Sequence, residues 1–149
     1  MQKAKPYIIS ILIALGVGGL SALLTMGNMD VYSQILKPSF APPGFIFPIV
    51  WGILYVLMGI SAARVYIKGG NLFYYAIQLI FNFFWSIFFF NFRWFLFSFI
   101  WLLGLLFLIV RTIMKYRRIK PIAAYLQIPY ALWVAFAGYL NLAIWLLNK

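Results

Sequence analysis

The sequence predicts an all-α integral membrane protein, a single domain over residues 1–149 built as a bundle of five transmembrane helices. Three observations carry this. Hydrophobic residues make up 66% of the chain, against roughly 45–50% apolar residues in ordinary soluble domains. Charged residues make up 9%, where about 25% is usual. The apolar residues also fall into five long runs almost free of charge, and a hydrocarbon core about 30 Å thick takes roughly 20 such residues per helix. A chain this short has too little interior to hide so much apolar surface from water. Lipid is therefore its solvent over most of its length.

The expected spans are about 7–26, 43–66, 72–92, 94–114 and 121–147. The first is uncharged from Tyr7 to Met26. Lys3 and Lys5 before it resemble the charged start of a signal peptide, but the run is too long and no A-x-A-like cleavage site follows. The second opens at Pro43, where a missing N–H costs little in a first helical turn. It closes before Lys68-Gly69-Gly70-Asn71, a flexible turn. Only Arg93 separates the third span from the fourth, so that connection must be tight. The fifth is interrupted at Pro129, whose ring and missing N–H disturb a helix interior.

Orientation follows from the basic residues. With five spans, one side carries Lys3, Lys5, Arg64, Lys68, Arg111, Lys115, Arg117, Arg118 and Lys120, and the other carries Lys37, Arg93 and Lys149. The positive-inside rule places the first set, and the N-terminus, in the cytoplasm. The C-terminus and the 26–42 loop then face outward. In a bacterium the membrane would be the plasma membrane. The net charge of +11 reads as a topology signal that also meets anionic lipid headgroups, and not as a nucleic-acid footprint.

Composition removes most catalytic chemistry. There is no Cys and no His, and Asp30 is the only acidic residue. A zinc site, a Ser-His-Asp triad, a Cys-His pair and a two-carboxylate glycosidase site all lack their parts within one chain. No metal site and no required cofactor are expected.

Polar residues at membrane depth are the informative ones, because an amide in hydrocarbon must be paired or face a cavity. Gln78, Asn82 and Trp85 share one face of the third span, and Asn141 lies in the fifth. Gln78 reads equally as pocket lining or as a helix–helix bond, whereas Asn82 and Asn141 read as bonds. Small residues at Ala14, Gly18 and Ala22, at Gly52 and Gly59, and at Ala131 and Ala135 suit close helix contact within the bundle or between protomers. Aromatic residues are 21% of the chain. Trp94, Trp101 and Trp145 suit the membrane interfaces. Trp51 and Tyr55 share a face directly after a proline-stiffened loop. Trp51, Trp85 and Trp133, if they converge, wall a flat cavity for a planar apolar ligand.

Four segments together resemble one known family. They are Lys37-Pro38-Ser39-Phe40-Ala41-Pro42-Pro43; Trp51-Gly52-Ile53-Leu54-Tyr55 with Gly59; Gln78-Leu79, Asn82 and Trp85-Ser86; and Pro129-Tyr130, Trp133, Phe136-Ala137 and Leu140-Asn141. In this order they resemble the tryptophan-rich sensory/translocator (TspO/MBR) family over nearly the whole chain. The resemblance implies a five-helix membrane bundle, commonly a homodimer. It also implies a pocket under the first loop that binds porphyrins such as protoporphyrin IX and haem, for tetrapyrrole transport, sensing or stress regulation. Carried over by position, the ligand-binding residues would be Tyr32, Pro42, Trp51, Gln78, Asn82, Trp85, Phe89, Trp133 and Ala137. Trp51 and Trp133 would also be the redox-active candidates for light-dependent porphyrin breakdown, an alternative function. A structural or regulatory membrane subunit is the second alternative. The chain departs from the family where Val31 and Phe40 replace tryptophans, and no basic residue follows Tyr139 within five positions, so the animal sterol pattern is absent.

Overall fold

The computed structural model describes residues 4–25, 27, 35–39 and 41–148. Tyr32, Asp30, Val31 and Phe40 lie outside these residues. The elements are α1 (Lys5–Thr25), α2 (Ile46–Ile67), α3 (Phe73–Ser86) extended by a π-helical segment (Ile87–Asn91), α4 (Phe95–Ile119), α5 (Pro121–Leu126) and α6 (Ile128–Asn148). With α5 and α6 joined as Pro121–Asn148, the chain has five helices long and apolar enough to cross a membrane. Large apolar side chains such as Leu12, Leu23, Ile53, Phe107 and Leu132 point out of the bundle, as a lipid solvent requires.

The turns follow from local chemistry. α2 ends where Gly69 takes a left-handed φ of 82°, which lets Gly69 N–H bond Tyr66 O at 2.9 Å and Gly70 N–H bond Val65 O at 2.8 Å. The Asn71 side-chain oxygen accepts from Phe73 N–H at 2.6 Å and starts α3. The tight connection expected at Arg93 is made by Arg93 itself, with φ 55°. Lys120, extended before Pro121, separates α4 from α5. The break in the fifth span falls at Gln127, between α5 and α6. Pro129, second in α6, offers no N–H to the carbonyl of Tyr125, so the helix cannot run through unbroken.

The core is a layer of Ala14, Leu54, Met58, Ala62, Leu79, Leu102, Leu105, Ile109, Tyr130 and Val134. α1 approaches the α2 backbone closely at Gly59, where a Cβ would stand 2.5 Å from Ile11 Cα. Ser10 Oγ donates to Gly59 O at 2.6 Å, and Tyr75 Oη donates to Ser10 O. Small residues and interhelical hydrogen bonds thus do the joining that water-driven burial does in soluble proteins.

At the loop between α1 and α2, Asn148 at the end of α6 holds Leu36 by both backbone groups, at 3.0 Å from N–H and 2.9 Å to O. Ile35 and Ala41 pack on the buried pair Phe89 and Ile144. Ile35, Leu36 and Ala41 therefore tie this part of the loop to that end of the bundle. Asn148→Ala should change thermal stability by about 1 kcal/mol or less, since the bonds are exposed, yet speed proteinase K cleavage within the loop. An unchanged cleavage rate would show that Asn148 is not the fastener.

Candidate functional site: an aromatic cavity beneath the α1–α2 loop

Directly below that loop, α1, α2, α3 with its π segment, and α6 enclose a cavity of about 530 Å³. Phe47, Trp51, Trp85, Phe89 and Phe90 wall it, and Gly18, Gly19, Gly44 and Gly52 give it width. The π segment explains why two adjacent phenylalanines both reach it. Its wider turn, marked by Phe92 N–H bonding Ile87 O at 3.2 Å, breaks the ordinary helical register. Trp85 and Phe89 stack at 5.4 Å between centroids.

The polar groups of the cavity mostly orient its walls. Tyr55 Oη donates to Asn82 Oδ1 at 2.9 Å, and Asn82 Nδ2 donates to Tyr130 Oη at 3.0 Å. Tyr55 and Asn82 form the floor, and Tyr130 backs it from behind. Trp85 Nε1 donates to Asn141 Oδ1 at 3.0 Å, and Asn141 Nδ2 donates to Phe95 O at 2.7 Å, which fixes the Trp85 ring. Ser21 and Ser86 share a hydrogen bond. Gly18 makes room for Tyr55, since a Cβ there would stand 2.2 Å from the ring. Trp51 packs on Tyr55 at 5.8 Å and on Tyr130 at 6.2 Å. Its ring has contacts and its N–H no hydrogen bond among the described residues. No charged side chain lines the cavity among the described residues.

Of the positions expected at a site, Trp51, Asn82, Trp85, Phe89 and Ala137 line this cavity. Pro42 lies partly buried in the loop above it. Gln78 is fully buried and outside the lining. Trp133 lies one aromatic layer away, edge-on to the wall residue Phe47 at 5.7 Å. It lines a separate groove of about 440 Å³ on the α2–α6 seam with Ile53, Leu57, Leu132 and Phe136. Ile53 and Leu132 are 57% and 67% exposed, so that groove faces lipid. The three tryptophans therefore divide between two hollows. Sequence reasoning passed over Tyr130, Phe47 and Phe90 as site residues. Tyr130 had a legible signal, a phenol at membrane depth needing a partner, whereas Phe90 had none, because the π turn that aims it is a property of the folded helix.

Comparison with known proteins agrees with this architecture. The TspO/MBR family profile matches residues 9–146. The chain belongs to the TspO/MBR family. It is 36% identical over 124 residues to "Tryptophan-rich protein TspO" of Chlorobaculum tepidum, covering 78% of each chain. It is 34% identical over 141 residues to "Translocator protein" of Bos taurus, covering 89% of this chain and 83% of the relative. It is 32% identical over 124 residues to "Protein CrtK" of Rhodobacter capsulatus, covering 78% of each. As a TspO/MBR member with five membrane-length helices, it is an integral multi-pass membrane protein. Both hollows fall within the matched residues.

Proposed function

We propose that this protein binds porphyrin-type tetrapyrroles in the aromatic cavity, as a membrane receptor or carrier. One observation carries the reading: a hollow of about 530 Å³, within the roughly 300–1,000 Å³ typical of small-molecule sites, walled by rings on α2 and α3. Flat rings favour a flat apolar ligand through offset stacking and burial. The Trp51 N–H supplies one directional contact. Relatives named "Translocator protein" and "Tryptophan-rich sensory protein" support carriage or sensing over catalysis. Binding needs no acid–base group, and the sequence supplies neither His nor Cys and only Asp30 as an acid.

Protoporphyrin IX should quench the tryptophan emission of the purified protein. Trp51→Phe should keep the fold and an aromatic wall but remove the indole N–H, and so raise Kd by about 3- to 10-fold, the equivalent of one hydrogen bond worth roughly 0.5–1.5 kcal/mol. Absence of quenching at micromolar porphyrin would count against the reading.

The basic residues support an inward N-terminus and an outward loop. The chain has no cysteine of its own, so single introduced ones report topology. Ser39→Cys should react with an impermeant maleimide added outside intact cells, and Arg118→Cys only after lysis. The reverse pattern would invert the orientation.

A further inference from the structure

Outside the cavity lining and the lipid-facing groove, four side chains have buried polar atoms with no hydrogen-bond partner among the described residues: Arg64 through Nε, and Gln78, Tyr116 and Gln127. They come from α2, α3, α4 and the α5–α6 break, and all sit in the half of the bundle away from the α1–α2 loop. Their mutual level follows from the contacts. The Asn82–Tyr130 hydrogen bond sets α3 against α6. One turn further from the loop, Gln78 lies four residues before Asn82 and Gln127 three before Tyr130. Both are 0% exposed, and both amides have Nε2 and Oε1 unpartnered. Ser61 Oγ donates to Ala123 O at 2.7 Å, and Tyr116 packs with Val65, Ala123 and Ala124. This brings Tyr116 and the Arg64 turn to the next layer toward the basic end.

We propose that Gln78 and Gln127 build a water-binding site inside the bundle, one helical turn beneath the floor of the aromatic cavity, continued toward the basic end by Tyr116 and Arg64. The donor and acceptor inventory selects the ligand. Each glutamine presents both an acceptor oxygen and a donor nitrogen. An anion would answer the amide nitrogens and the guanidinium but repel the two carbonyl oxygens. A cation would do the reverse. Water both donates and accepts, and a buried water takes two to four polar partners of this kind. Neither glutamine can turn to solvent, and a bare amide among hydrocarbon side chains is strongly unfavourable. The Tyr55–Asn82–Tyr130 layer then becomes a polar plug between an outer ligand cavity and a hydrated inner half. The inference does not rest on which ligand the cavity takes.

Solid-state NMR in lipid bilayers tests it directly, by water-to-protein magnetisation transfer on protein labelled with ¹⁵N-glutamine and ¹³C-methyl leucine. The chain has four glutamines, Gln2, Gln34, Gln78 and Gln127, and Gln78→Met and Gln127→Met each delete one signal and so assign the buried pair. The side-chain amides of Gln78 and Gln127 should receive water magnetisation several times faster than the methyl groups of Leu79 and Leu105, which share their depth. Transfer no faster than to those methyl groups would overturn the site, because the amides would then be dry. If either variant fails to fold, sequential assignment of the unaltered protein reads the same two signals.

Discussion

Gly52→Phe should weaken protoporphyrin IX binding by about 100-fold, a loss near 2.7 kcal/mol, while leaving the unliganded protein as stable as before. Gly52 is a cavity residue of α2, and a Cβ built on it meets nothing within 4 Å. A benzyl group there has only the hollow to enter, beside Trp51 on the same helix. It occupies the space a flat ligand needs without displacing a wall. The backbone gains as well, since glycine inside a helix is roughly 0.5 kcal/mol less favourable than phenylalanine. Gly16 provides the control. It also meets nothing within 4 Å but does not line the cavity, so Gly16→Phe should leave affinity unchanged. Titration by tryptophan quenching and a thermal melt of each variant decide the matter. Equal affinity in Gly52→Phe and the unaltered protein would remove the ligand from this cavity.

Gly59→Leu should have the opposite signature, with stability lost by about 3 kcal/mol or more. Overpacking a well-fitted contact typically costs about 1–3 kcal/mol, and here the obstacle does not yield. The would-be Cβ stands 2.5 Å from Ile11 Cα and 2.7 Å from Ile11 N, both backbone atoms, so no rotamer change relieves the clash. α1 must move away from α2 as a whole. That motion breaks the Ser10–Gly59 bond and strains the Tyr75–Ser10 bond behind it, leaving polar groups without partners in hydrocarbon. Gly59→Ala should show a smaller loss of the same sign. Heat denaturation in one detergent compares the series. A Gly59→Leu protein as stable as the original would mean that the close approach of α1 and α2 at this turn does not hold the bundle together.

These two glycines also mark the limit of reading from residues alone. In the sequence, Gly52 and Gly59 are two small residues on one helix, both suited to close packing. The fold gives one to a helix contact and the other to an open hollow, seven positions away. Asn82 and Asn141 were legible as interhelical bonds, because a buried amide needs a partner wherever it sits, and the structure supplies Tyr55, Tyr130 and Trp85. Gln127 carries the same kind of amide, but it sits at the backbone break between α5 and α6, where a polar side chain is as compatible with a turn as with a buried site. Asn148 gave no signal, since its partner is the backbone of Leu36, 112 residues distant along the chain.

The sequence by itself determined the solvent, the number of crossings and the membership of the TspO/MBR family, because apolar run length and local motifs survive without any knowledge of packing. Tertiary structure alone decided which rings share a hollow. Trp51, Trp85 and Trp133 are equivalent as indoles in apolar helices, yet helix rotation and the seam between α2 and α6 turn the first two toward the cavity and the third toward a lipid-facing groove. That partition depends on the angle at which each helix presents its face, which is fixed only when all the neighbours are packed together.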